Sequence, residues 1–283
     1  MKVAIIGLGL IGGSIGLALK RASKEIEIIG IPRREETIQE AINRGAIDEG
    51  TTDPRKGVAE ADLIFICTPL NLILPILKEI TSSLKKGAII TDVGSSKAEI
   101  VSKAEKIMPK GAYFVGGHPM AGKEKVKLEE AEAGLFERKL WILTPTSKTG
   151  KKALETVKEI VALLNCQTAE MDPKLHDLVV AGISHMPLAV AVTLVNTIEY
   201  AEKGKDEMVH CAASGFRDTT RIASGDPMLG MDMFTTNKKA VLKMLSAFKK
   251  SLSKIEKLIK EGDPNKIKKE LEIIKTFRDS IYG

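Results

Sequence analysis

The sequence predicts an α/β domain built on a doubly wound parallel sheet, followed by an all-helical domain. Strand-like and helix-like segments alternate through the first 171 residues, and no convincing strand follows Asp172. The opening agrees: the apolar run Val3-Ala4-Ile5-Ile6 leads into Gly7-Leu8-Gly9-Leu10-Ile11-Gly12 and then into a helical stretch. At 283 residues the chain is long enough for two domains, each burying its own core.

Taken in order, strands are expected at 3–6, 26–31, 63–67, 88–91, 113–115 and 140–143, with helices at 11–22, 34–44, 71–84 and 96–107. In the first turn Gly7 permits a tight bend, Gly9 lets backbone approach a pyrophosphate, and Gly12 lets the helix pack on the sheet. The helix-start amides around Leu10 and Ile11 face phosphate charge. This Rossmann-type loop is therefore expected to bind a dinucleotide. The 26–31 strand runs into Pro32-Arg33-Arg34, where an NAD-binding version would place an acidic residue. Guanidinium groups at Arg33 and Arg34 suit a 2′-phosphate, so NADP is expected to be preferred, with NAD used weakly. The 63–67 strand stops at Cys67-Thr68-Pro69, which puts Thr68 and Pro69 at the same sheet edge. A helix near 150–164 and an apolar piece around Cys166–Met171 complete the first domain, so the boundary is expected between 171 and 172.

Residues 178–198 are the most apolar stretch, but Ser184, His185 and Pro187 at its centre argue against a membrane span. A helix apolar nearly all round is instead expected to be buried within its domain or between subunits. Val241, Met244, Leu245, Phe248, Leu252 and Ile255 recur at helical spacing, and Asp263-Pro264 can cap and start a last helix.

A net charge of +6 raises the question of nucleic acid, yet the lysines are dispersed and no aromatic–basic pattern accompanies them. An anionic small substrate and cofactor explain the excess as well. Cys67, Cys166 and Cys211 lie far apart, so neither a metal site nor a disulfide framework is expected. The chain opens directly into a strand, leaving no room for a signal peptide, and a cytoplasmic enzyme is expected.

Ligands of open α/β sheets bind at the carboxyl ends of the strands. Thr91–Lys97 and Gly116–Gly122 fall there. His118, flanked by glycines, is poorly explained by packing and well explained as a general base or acid. With Ile183-Ser184-His185-Met186-Pro187 and Gly215–Ala223, these segments resemble, in order and spacing, the prephenate/arogenate dehydrogenases of tyrosine biosynthesis. The resemblance implies a cofactor domain, a helical dimerisation domain making a homodimer, and oxidative decarboxylation of a dicarboxylate cyclohexadienyl substrate. It assigns the catalytic base to His118, with Ser95 bonding the substrate hydroxyl and orienting the histidine. Arg221 matches the arginine that grips a substrate carboxylate, unless it pairs with Asp218 or Asp226. His185 is either a substrate contact or a satisfied core residue. His176 falls on a family Leu-His-Asp position that is equally compatible with a helix start, and His210 has no role.

The chain departs from the family at Lys123 and Val126-Lys127, where many members have Thr and a Ser-Gly pair. It also has Leu188 for a second histidine and Gly230 for a tryptophan of some prephenate-using members. These changes leave the choice between prephenate and arogenate open. The competing readings are a β-hydroxyacid dehydrogenase or pyrroline-carboxylate reductase type of enzyme, and a non-enzymatic NADP-binding sensor.

Overall fold

The computed structural model describes residues 1–123 and 127–282; Val126, one of the departures, lies outside them. In chain order the first region runs β1 (Lys2–Ile6), α1 (Leu10–Ala22), β2 (Glu27–Ile31), α2 (Glu35–Asn43), β3 (Glu49–Gly50), α3 (Pro54–Val58), β4 (Leu63–Ile66), α4 (Ile73–Ile80), β5 (Ile89–Asp92), α5 (Ala98–Ile107) and β6 (Tyr113–Val115). These strands form one parallel sheet in the order β3-β2-β1-β4-β5-β6. Crossovers cover both faces, so Leu63, Ile64, Phe65 and Ile66 are all fully buried rather than alternating. One face packs Ile5, Leu19, Phe65 and Trp141, the other Ile6, Ile64, Ile73 and Ile90. The chain leaves β1 toward β2 on one side and returns to β4 on the other. The crevice between β1 and β4 is therefore the switch point at which such sheets take ligands.

A second, three-stranded sheet follows, made of β7 (Gly117–Pro119), β8 (Leu140–Leu143) and β9 (Gln167–Glu170), with α6 (Lys151–Leu163) between the last two. The 140–143 strand belongs here, and the apolar piece at 166–171 is its neighbour β9. His118 lies inside β7, opposite Ile142 of antiparallel β8, and not in a loop past the strand end. Gly-His-Pro has no strand propensity of its own, and the pairing is imposed by β8. β3 and α3 were equally absent from the sequence pattern, being too short to show a period.

From residue 172 onward every element among the described residues is helical. They form α7 (Pro173–Val180), a π-helical turn (Ala181–His185), α8 (Met186–Glu199), α9 (Lys205–His210), α10 (Ser214–Thr220), a 3₁₀ turn (Arg221–Ser224), α11 (Pro227–Thr236), α12 (Lys238–Glu261) and α13 (Pro264–Tyr282). Asp172 and Asp263 cap α7 and α13 through their side chains, each followed by proline at the first helical position. The expected single helix over 178–198 is interrupted by the π turn. Pro187 lacks an N–H, and its ring would strike the carbonyl of Ile183 four residues back. The combined span Pro173–Glu199 is long and apolar enough to cross a membrane. Of the two expected alternatives, burial within its own domain is not met: Ala191 is the only buried residue of α8, and Val192, Leu194 and Val195 stay exposed.

Candidate functional site

The phosphate loop has the geometry that its glycines predict. Gly7 takes φ +94°, and a Cβ there would lie 2.6 Å from the Cys67 carbonyl oxygen and 3.1 Å from Thr68 Cγ2. A Cβ on Gly12 would meet the Gly7 oxygen at 2.0 Å. Any side chain would thus push the loop off the end of β4. Gly9 caps α1 without a side-chain bond, and no acidic residue occupies the first turn, so the amides beyond Leu10 face outward uncontested. Thr68 Oγ1 is buried without a hydrogen-bond partner beside this cradle. A glycine cradle, free amides and an orphaned hydroxyl fit a dinucleotide. At the end of β2, Arg33 and Arg34 are exposed, and among the described residues neither forms an ion pair. Glu35, a carboxylate near enough in sequence to take them, accepts instead from Thr52 Oγ1 at 2.9 Å.

Ile6, Ile66 and Asp92 stand in register across β1, β4 and β5. The segments holding Gly7, Thr68 and Ser95 therefore leave the sheet side by side. Behind Ser95 lies an ion pair with no solvent exposure, Lys97 Nζ on Asp92 Oδ2. Its two members hold both backbone groups of Gly117: Lys97 Nζ donates to the carbonyl at 2.9 Å, and the Gly117 amide donates to Asp92 Oδ1 at 3.2 Å. This fixes the residue before His118 to the end of β5. Burial pushes the Lys97 ammonium down, and Asp92 opposes that shift.

His118 Nδ1 lies 2.9 Å from His176 Nε2, and His176 Nδ1 lies 3.0 Å from Asp177 Oδ1. Asp177 also accepts from the Lys97 amide at 2.6 Å and the Ala98 amide at 3.0 Å, so α7 caps α5 across the two regions. Burial, then the neighbouring His176, Lys97 and His185, hold His118 well below the ordinary histidine range. It is neutral at pH 7, the state in which an imidazole can accept a proton. His185, inside the π turn, is buried and brought to about 4, chiefly by desolvation. Its Nδ1 is 3.2 Å from Asn237 Nδ2, whose amide also donates to the Asp177 carbonyl at 2.7 Å. With Nδ1 accepting, the ring proton sits on Nε2, which is buried with no partner.

The sequence model described as prephenate dehydrogenase, nucleotide-binding domain, matches residues 15–170, and that of the prephenate dehydrogenase dimerization domain matches 172–273. The chain belongs to the prephenate dehydrogenase family. It is 37% identical to prephenate dehydrogenase of Bacillus subtilis over 99% of this chain and 76% of that protein. Prephenate dehydrogenase from A. aeolicus, solved with hydroxyphenyl propionate and NAD+, superimposes with a TM-score of 0.93 at 36% identity, covering 99% of this chain and 98% of that one. Synechocystis arogenate dehydrogenase gives 0.88 at 34% identity over 99% and 100%. As a member of this family the chain is a dehydrogenase of tyrosine biosynthesis, acting by oxidative decarboxylation. The hydroxyacid-dehydrogenase, reductase and sensor readings give way to it.

Within this family frame, one expected contact is replaced. The ring bond of His118 goes to His176, not to Ser95, whose Oγ is buried with no partner. Not every orphaned group belongs to the cleft: Thr91 Oγ1, Trp141 Nε1 and Thr144 Oγ1 crowd the backbone of Gly116 and Gly117 instead. Arg221 opens the 3₁₀ turn that packs on α8, and it is exposed. Asp218 pairs with Arg217, and Asp226 caps α11. Two departures from the family prove to be neighbours, since a Cβ on Gly230 would sit 3.4 Å from Leu188 Cδ2. A third, Lys123, pairs with Glu132 at 3.1 Å. Lys97, Asp92, Asp177 and Asn237 escaped the sequence reading. The signal available for Asp177 was its place beside His176, and Lys97 and Asp92 lay inside a segment from which only Ser95 was taken.

Proposed function

We propose that the protein oxidises and decarboxylates prephenate or arogenate, with His118 as the base, in a cytoplasmic homodimer. The observation that carries this is the row of groups at one sheet edge. The glycine cradle, Thr68 and Ser95 leave adjacent strands β1, β4 and β5, and Gly117–His118 is tied to the end of the last. Gly7, Gly9, Leu10, Ile11 and Gly12 would hold the pyrophosphate, with Thr68 and Pro69 beside it. The nicotinamide, when bound, supplies the two-electron acceptor for the hydride on the substrate's carbinol carbon. His118 takes the hydroxyl proton, and Ser95 Oγ holds the same hydroxyl. The ring carboxylate leaves as carbon dioxide, and the electron pair of that bond makes the ring aromatic. The phenolate oxygen then recovers the proton from His118. The Arg221 fork binds a carboxylate of the substrate, and the unpartnered His185 Nε2–H donates to it.

NADP is the preferred cofactor in this reading, because unpaired Arg33 and Arg34 stand where the 2′-phosphate would lie. The cofactor domain comprises residues 1–171 and the helical domain 172–283. The exposed apolar face of α8 is covered by a second copy of the chain, in keeping with a dimerization-domain match over 172–273. The decisive experiment offers the purified protein prephenate and arogenate, each with NAD and NADP, and follows cofactor reduction. Reduction with at least one substrate is expected, and none with either would remove the proposal.

A further inference from the structure

We propose that His176 and Asp177 are positioning residues that fix the tautomer of His118, so that Nε2 is its basic nitrogen. The inference rests on the proposed role of His118 as base, and deepens it.

The direction of the hydrogen bonds follows from one end of the chain of groups. Asp177 takes three donors, the amides of Lys97 and Ala98 and the ring nitrogen of His176. A carboxylate can only accept, so the proton between it and His176 resides on Nδ1 of the histidine. Neutral His176 then has its lone pair on Nε2, which lies 2.9 Å from His118 Nδ1. His118 must donate there, and in its neutral form the remaining lone pair is on Nε2. The reverse orientation would point Nε2–H of His118 at the substrate hydroxyl, where it could not accept a proton. The charged and titratable groups facing His118 are His176, His185 and Lys97, the last held by Asp92. None of them competes for Nδ1.

The anchor is rigid for reasons visible in the fold. Asp177 sits at the start of the ten-residue helix α5, where amides and dipole both favour a negative charge. Its own carbonyl accepts from Asn237 at the start of α12. His176 is fully buried, with its ring edge-on to that of His118 at a centroid distance of 5.1 Å. His118 belongs to the first region and its two positioning residues to the second. The base therefore acquires its reactive tautomer only when the helical domain is seated against the end of β5.

Imidazole-nitrogen NMR on the full-length protein reads the tautomer directly. The expected result at neutral pH is a His118 protonated on Nδ1 and bare on Nε2; the opposite tautomer would overturn the proposal. Asp177→Asn presents an amide that can donate to His176 and reverse both bonds. It should move the His118 proton to Nε2 and lower kcat by about 10²–10⁴-fold, with KM changed much less. An unchanged tautomer and kcat in that variant would also overturn it. Because Asp177 also caps α5, a second pair of variants avoids dependence on its folding. His176→Gln retains an acceptor for His118 Nδ1–H, whereas His176→Leu has none. The glutamine variant should keep at least about tenfold more activity than the leucine variant, a range expected for a partner that orients an active-site histidine. Equal activities would count against the proposal. If the tautomer is as expected yet neither prephenate nor arogenate is oxidised, the positioning role stands and the proposed reaction fails. If oxidation occurs with the opposite tautomer, the reaction stands and the positioning role fails.

Discussion

The two halves of this protein treat their apolar residues in opposite ways. In the first, β1 and β4 and the core faces of α1 and α4 bury their apolar side chains within the same chain. In the second, α8 buries only Ala191 and α12 only Val241, while Leu194, Val195, Leu252, Ile259, Leu271 and Phe277 remain exposed. What differs is who supplies the cover. A parallel sheet brings its own, because each crossover helix must return across a face. Long helices with apolar stripes bring none, and need another surface. The cofactor half should therefore be self-sufficient, and the helical half incomplete until a second copy joins it.

The largest effect is expected at the seam, where the proposed base His118 of the first half meets His176 of the second. His118→Asn should lower turnover by about 10²–10⁴-fold with substrate binding less affected, as for loss of a positioned base. A near-wild-type rate at neutral pH would detach His118 from the chemistry.

The self-sufficiency of the first half is sharpened by Lys97→Met. That change leaves the Asp92 carboxylate buried without its cation and should cost about 3–5 kcal/mol in urea unfolding, with dimerisation intact. A loss below about 1 kcal/mol, the scale of an exposed pair, would show that the site relaxes to admit water. The incompleteness of the second half is tested by Val195→Lys on α8. Burying an unpaired ammonium costs at least about 3 kcal/mol, so self-association should weaken by roughly 10²-fold while cofactor binding persists. Sedimentation at micromolar concentration distinguishes the outcomes, and an unaltered dimer would place the interface elsewhere.

Acid should affect the two halves differently through the buried histidines. His185 is neutral in the folded state down to about 4, whereas unfolded it takes up a proton near its ordinary value of 6.5. The unfolded chain thus binds more protons in between, so this contribution is intact above 6.5 and is lost as pH falls toward 4. Chemical denaturation at several pH values checks it; stability that holds or increases as pH falls from 6.5 toward 4 would contradict it. The acid limb of kcat/KM should lie well below 6.5, because His118 is shifted the same way. The smallest effect concerns Arg33 and Arg34. Changing both to Ala should erase an NADP preference of at least about tenfold in kcat/KM, or about 1.4 kcal/mol. An NAD preference in the parent protein would refute that assignment.

Local chemistry made the phosphate loop readable. Strand, turn and helix are consecutive, and Gly12 answers to the carbonyl of Gly7 within the same turn, although the Cys67 carbonyl that crowds Gly7 comes from the distant end of β4. His118 was readable from its glycine neighbours and from the family resemblance, although its strand was not. Its partner His176 is 58 residues distant and sits in an ordinary amphipathic helix start. Nothing periodic marks such a residue, and Ser95, close in sequence to the motif, took its place in the sequence reading. The interrupted helix at Ala181–His185 had a visible cause in Pro187, yet only the packing of His185 on Asn237 gives the π turn its content.

By itself, then, the sequence determined most of the order of strands and helices, the cofactor loop and the change of character at residue 172. Each of these depends on residues within a few positions of one another, where spacing dictates geometry. Only the tertiary structure decided which nitrogen of His118 is held, which ion pair clamps Gly117 and which apolar faces stay uncovered. Those outcomes depend on contacts across tens of residues, and burial alone turns Lys97, Asp92 and Asp177 from ordinary surface-type residues into fixed parts of the site.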